Sequence, residues 1–416
     1  MKRLHNLVLF LLTFLLLCQT ASYACLNDRD TLAEEIKGLP DVVQVVTGRF
    51  ERNPPLYYQM RLARVAAELK TNPALLSGYD DAGVACDRLG RDDEAIAWMD
   101  KKRVQLSTLR LAYPDYHEQW YRYNANTGTF WVHRWIHNGA DRRKIGEVKT
   151  ARYYIAQAIK IKPNAHFGRE KYQLRVMDWI IKGLPFSVLT NILEKRHGWT
   201  GFEHDTTPEQ DPDAFLFARL GEEKDQTKAL CGLITLGNAW ESVDIFQALG
   251  QSLPVEGGSQ LSPLIKLRCD ELVDSHHGSL IPGAPQGKAL KDAIVVGERN
   301  WDLTDKDKQV YLKLRREADV WQKARTDYMM ARLTAGRHPD TDPTFWNDYH
   351  PSSPPEITDS WQHQLYRKYG GDESENGFWF GVYFNAVLLG FAMLTAGFIL
   401  WRVKVRRRKR RSLTTV

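Results

Sequence analysis

His133 and His137 stand four residues apart, so a helix would put both imidazoles on one face. Two imidazoles at that spacing are half of a zinc site. The glutamate of a zinc hydrolase is missing, and Trp131 and Trp135 share the segment, so stacking in an aromatic patch is the expected role. A second polar group, His166, Arg169 and Glu170 in "HFGRE", suits either a small anion or a salt bridge between helices, and the bridge is expected. His276-His277-Gly278-Ser279 reads as a loop. No GxSxG, HExxH, Walker A, CxxCH or paired CxxC occurs. The expectation is therefore no catalytic residue, no metal ligand and no cofactor. Carboxylates distant in sequence can still meet in a fold. One alternative follows: a helical ectodomain enzyme working on a cell-envelope substrate, with carboxylates from loops such as the acidic stretch 199–212.

Five cysteines occur, and Cys18 lies in an apolar leader. The other four, Cys25, Cys86, Cys231 and Cys269, permit disulfides in an oxidising compartment. Cys86 falls at a helix core position, where a buried free thiol is expected.

Both ends of the chain point to a membrane. Lys2 and Arg3 precede the apolar run Leu7 to Leu17, and Ser22-Tyr23-Ala24 offers small residues for a signal peptidase, so residues 1–24 read as a signal peptide. Cys25 directly after it also fits a lipid anchor, although Ser22 stands where a lipobox usually has Leu. At the other end, residues 377–401 carry no charge. At about 1.5 Å per residue they can cross a hydrocarbon core of about 30 Å. Phe378, Trp379 and Tyr383 at one end and Trp401 at the other suit the two interfaces. Arg402, Lys404, Arg406 and their basic neighbours form a tail over 402–416 that is held in the cytoplasm and rests on anionic lipid. The bulk of the chain is then extracytoplasmic on a single-pass anchor. A single-span signalling or assembly component with that basic tail as output is a second alternative.

Charge supports this placement. Ten of the 57 basic residues lie at the two ends, which leaves the body with fewer basic than its 51 acidic residues. The net charge of +6 belongs to the ends, which argues against a nucleic-acid-binding body. The absence of any N-x-[ST] sequon leans toward a bacterial source.

The elements between these ends are helical. Stripes of period 3.6 recur, as in Tyr58, Leu62, Val65, Ala66 and Leu69, while alternating β-branched runs are scarce. Another stripe, Val310 to Tyr328, predicts a helix that starts near Thr304, whose hydroxyl can cap it, and stops at Gly336. Within "YDDAGVACDRLGRDDEAIAWM", Tyr79, Ala82, Gly83 and Cys86 precede Gly90, and Ala95 and Met99 follow it. Small residues at these offsets let two helices approach closely, with Gly90 turning the chain at φ > 0. This resembles the tetratricopeptide repeat, a helix–turn–helix unit of 34 residues with the pattern W-x2-L-G-x2-Y…A-x3-F…P. Tyr79 stands for Trp, Ala82 for Leu, Cys86 for Tyr and Met99 for Phe.

A looser copy places Gly146, Ala151, Ile155, Ala158 and Pro163 at corresponding offsets. Asn138-Gly139 breaks its first helix, which is expected over 129–136 with an enlarged turn. An earlier pair spans Asp41 to Leu69 with "ERNPP" inserted in its turn, and a third unit begins at "HFGRE". The fold expected is all-α: a tetratricopeptide-like array of helical hairpins, an α-solenoid, over 25–185. Further helices follow over 186–336, then a Pro- and Asp-rich spacer with a short helix over 337–376 and the C-terminal transmembrane helix. The resemblance implies a non-catalytic scaffold or adaptor that binds a protein or peptide partner along its first helices, and the chain ends imply that it is tethered to a membrane.

Overall fold

The structure is a computed structural model that describes residues 28–29, 41–110, 115–163, 165–182, 226–253, 261–294, 296 and 303–355. The chain divides into two compact units, 1–355 and 356–416, and all described residues belong to the first. The expected signal peptide, Cys25, the acidic stretch 199–212, the apolar run 377–401 and the basic residues 402–416 lie outside them. So do Trp379, Tyr383, Trp401, Arg402, Lys404 and Arg406. Among the described residues there are twelve α-helices and no strand, and no helix is long and apolar enough to cross a membrane.

The first six helices are α1 (Val42–Thr47), α2 (Pro55–Thr71), α3 (Leu76–Arg88), α4 (Asp92–Ser107), α5 (Tyr116–His137) and α6 (Gly146–Ile161). Each packs on its neighbour from α2 to α6, and α3 also packs on α5. The turn between α3 and α4 follows from its residues. Gly90 has φ +69°, its N–H donates to Asp87 O, and Arg91 N–H donates to Cys86 O at 2.8 Å. That pair of bonds is the Schellman cap, which a side chain at Gly90 would strain. Helix α5 ends the same way. Gly139 has φ +83°, and Gly139 and Ala140 donate to Ile136 O and Trp135 O. The expected break at Asn138-Gly139 is real, but the helix before it runs back to Tyr116 and is far longer than 129–136.

Glycines set how closely the pairs nest. A Cβ at Gly83 would lie 2.9 Å from Phe130 of α5 and 3.0 Å from Met99 of α4. One at Gly128, in the middle of α5, would lie 2.7 Å from Ile155 and 2.8 Å from the Ala151 carbonyl of α6. A backbone oxygen cannot rotate away, so Gly128 fixes the α5–α6 approach.

The chain continues through α7 (Arg169–Lys182), α8 (Gln226–Thr235), α9 (Val243–Ser252), α10 (Ser262–Asp274) and α11 (Gly287–Ala293) to the 30-residue α12 (Asp305–Thr334). Helix α12 starts on a capping box, Thr304 with Asp307, and ends before Gly336 at φ +78°, as its sequence predicts. It returns to the start of the fold, packing on α1, α2 and α10.

Residues beyond α12 follow it onto the body instead of spacing away from it. His338 stacks on Tyr57 with ring centroids 4.5 Å apart, and Phe345 is fully buried in the core built around α2 to α4. Arg61 of α2, itself fully buried, grips Asp340 through Nε at 2.8 Å and Nη2 at 2.6 Å, and donates from Nη1 to Asp28 at 3.1 Å. The spacer expected from 337 is therefore a clamp over at least 338–345.

Candidate binding surface

Alternate helices from α3 to α7 differ in how they are buried. Helices α4 and α6 bury one stripe each: Asp92, Ala95, Met99, Lys102 and Leu106 in α4, and Val148, Ala151, Ile155, Ala156, Ala158 and Ile159 in α6. Helix α3 buries almost every residue from Leu76 to Asp87, and α5 and α7 are nearly as enclosed. Helix α8 packs on α1 and α7, and Arg88 at the end of α3 donates to Leu236 O at 2.7 Å and to Asn238 at 2.8 Å. Leu280 rests on the core formed by α5, α6 and α7. The first helices, which the repeat resemblance expects to meet a ligand, are thus covered by the chain's own later helices and loops.

The residues expected to pack the repeats separate into two groups. Tyr79, Ala82, Gly83, Ala95, Ala151 and Ala158 are buried, and the Tyr79 hydroxyl donates to Pro73 O at 3.1 Å. Gly90 works through its turn conformation alone, with open space around it. Gly146 and Pro163 are exposed, and nothing lies within 4 Å of a Cβ built on Gly146. Those two mark the ends of α6, and the close α5–α6 approach is at Gly128, which the pattern count misses. Gly128 lies 45 positions after Gly83, beyond a 34-residue period, since α5 carries extra turns at its start.

Enclosure forces the polar residues of the first helices to find partners. Lys102 Nζ lies 2.6 Å from Asp80, and Asn126 of α5 donates to the other Asp80 oxygen at 3.0 Å. Burial pushes the Asp80 carboxyl up and the Lys102 amine down, and their mutual attraction opposes both shifts. Asp87 Oδ1 lies 2.7 Å from His133 Nδ1, and Asp92 lies 3.0 Å from His137 Nδ1. Both Asp–His pairs hold an imidazole through Nδ1 and leave Nε2 as the second ring nitrogen. The hydrogen bond to Asp92 raises the His137 pKa. The two rings are 6.1 Å apart and tilted. They are held by carboxylates from the neighbouring hairpin and not, as expected, by an aromatic patch; Trp135 is buried in the core with Val148 and Ile155 instead. Among the described residues no group of three or more His, Cys, Asp or Glu could hold a metal ion.

The "HFGRE" residues do not form an open polar site. Arg169 and Glu170 are buried. Glu170 accepts from the Tyr121 hydroxyl, and Arg169 points toward Gly232 O of α8 at 3.5 Å. The His166 side chain lies outside the described residues. Cys86, Cys231 and Cys269 are buried free thiols. Burial raises Cys86 to about 11 and Cys269 to about 12, so neither supplies a thiolate near neutral pH. His276 and His277 lie in the loop after α10, as expected.

Comparison with known proteins finds no matching family model, curated protein or solved structure.

Proposed function

We propose that the protein is a membrane-tethered, extracytoplasmic scaffold of tetratricopeptide-like helix pairs, which binds a protein or peptide partner and does not catalyse a reaction. The apolar run 377–401 would anchor it, with the basic tail inside. The observation that carries the array reading is the repeated junction. Two successive first helices, α3 and α5, end on the same glycine cap, and each has a glycine where it crosses its neighbours, Gly83 and Gly128. Because the first-helix side is filled from within the chain, the partner meets the second helices. Val104 of α4 and Tyr153 of α6 are large apolar side chains more than half exposed there.

A photo-crosslinking amino acid at Tyr153 or Val104 of the full-length protein in its membrane tests this. The expected result is a discrete adduct with another protein from both positions, and none from Val320 on α12. Protease added to cells with a permeable outer layer should digest the body. A body that resists protease until the inner membrane is broken, or adducts only within the chain, would overturn the proposal.

A further inference from the structure

The "ERNPP" stretch has no place in the repeat pattern, yet it is built into a polar junction of four chain segments. Trp240, in the turn between α8 and α9, lies over Gly48, where a Cβ would be 2.8 Å from two of its ring atoms. Three guanidinium groups surround its indole: Arg268 of α10 at 3.6 Å from the ring centroid, Arg52 at 5.3 Å and Arg315 of α12 at 5.5 Å. Phe50 meets the same ring edge-on and also carries Arg52 at 4.8 Å.

The neighbouring cations are balanced, and Arg52 is not. Arg49 pairs with Glu317, and Arg325 with Glu51 at 2.8 Å. Arg268 and Arg315 share Glu271, at 3.0 and 3.2 Å, and Arg315 also holds Asp319 at 2.8 Å. No carboxylate lies within ion-pair distance of Arg52 among the described residues. Its Nη1 donates to Gly48 O at 3.2 Å, and its Nε–Nη2 edge donates to nothing among the described residues. Arg268 Nε is buried without a hydrogen-bond partner. Burial, and the charges of Arg315, Arg268 and Arg325 against that of Asp319, lower Arg52 to about 10. A desolvated cation among cations, with one free fork still reachable from solution, is short of one negative charge.

We infer that the Arg52–Trp240 junction is a binding site for a carboxylate, held bidentately on the free Nε–Nη2 edge of Arg52 against the indole of Trp240. A single carboxylate supplies the missing charge, and its two oxygens match the spacing of a guanidinium fork. The site lies outside the α3–α6 hairpins and apart from Val104 and Tyr153, so its test and the crosslinking test can fail separately.

The test uses the full-length protein in detergent, at constant pH and ionic strength, with chloride replaced stepwise by acetate, N-acetylalanine or dimethyl phosphate. Acetate represents a small acid, N-acetylalanine a peptide C-terminus, and dimethyl phosphate a phosphodiester of equal charge. A ligand that binds only the folded state raises its melting temperature. At least one carboxylate should raise Tm above the chloride value, and dimethyl phosphate should act less strongly. Arg52→Gln should weaken the response by about tenfold or more, and Arg52→Lys, which keeps the charge and loses the fork, should weaken it similarly. Should the variants not fold, the Nε–Hε resonance of Arg52 in the wild-type protein gives the same reading, since it must shift and saturate with the carboxylate. No carboxylate response, an undiminished response in Arg52→Gln, or tighter binding of dimethyl phosphate would overturn the assignment.

Discussion

The α3–α6 hairpins and the returning segment α12 to Phe345 hold together by different means. The hairpins nest through missing side chains: Gly83 and Gly128 admit Phe130 and Ile155 to distances that any Cβ would block. The returning segment is fastened by long charged side chains. Arg61, Arg64 and Arg29 gather on Asp340, Arg49 reaches Glu317 and the Ser352 carbonyl, and Arg325 reaches Glu51. Close apolar contact fixes a spacing and tolerates no added volume. A buried ion pair fixes a partner and tolerates no lost charge. The two regions should therefore fail differently.

Gly128→Val has the largest expected effect. Its side chain would meet the Ala151 carbonyl, so denaturant unfolding should show a loss of about 3 kcal/mol or more, or no folded protein. A loss under about 1 kcal/mol would mean that α5 and α6 can part, and that nesting does not govern the hairpins.

Arg61→Met comes next. It removes the fully buried cation that Asp28 and Asp340 share, which should cost about 3 kcal/mol. Hydrogen exchange should report the loss first in residues 338–345 and α12, with α3–α6 still protected. Equal exposure of both regions would erase the distinction.

Two buried carboxyls of the later segments should titrate in opposite senses. Burial alone would raise Asp340, but hydrogen bonds and charge from Arg61, with His338 and Arg29, hold it down at about 2. Its contribution is complete above the ordinary aspartate range near 4 and is lost as pH falls toward 2. Asp244 is fully enclosed, and burial raises it to about 6 although Ser279 and Leu280 N–H donate to it. Its folded form favours the proton, so its contribution is complete below about 4 and is lost as pH rises through 6. Asp244→Asn should match wild type near pH 3 and exceed it at pH 8 by about 2–3 kcal/mol. Equal stability at pH 8 would show that the two hydrogen bonds already compensate for burial.

The smallest effect should come from Gly146→Ala. With open space around it at the start of α6, the substitution should gain about 0.5–1 kcal/mol by thermal unfolding. A loss there would restore Gly146 to the packing role that its spacing suggests.

Several elements were legible because their causes are local. The Thr304–Asp307 capping box, the Gly90 turn and the stripe of α2 each depend on residues a few positions apart. Helix α5 was not legible over most of its length. Asn124-Ala125-Asn126-Thr127-Gly128-Thr129 is a weak helix former. It is helical because Asn126 is claimed by Asp80, while Thr127 and Thr129 donate to Tyr123 O and Ala125 O within the helix. The clamp at 338–345 reads as a solvated spacer because Pro and Asp are common in linkers. Asp340 is buried only because a cation 279 positions earlier awaits it. The Arg52–Trp240 junction gives no sequence signal, since its four segments are far apart in the chain.

The amino-acid sequence by itself determined where helices begin and turn, which faces are apolar, and that small residues let one hairpin close. Those properties are set by dihedral preference, hydrogen bonding and periodicity within a few residues. Only the tertiary structure decided that the first helices are covered, that Gly128 and not Gly146 is a crossing point, and that Arg52 stands without a counter-charge. Burial and charge balance are sums over neighbours in space, and the chain's order does not say who those neighbours are.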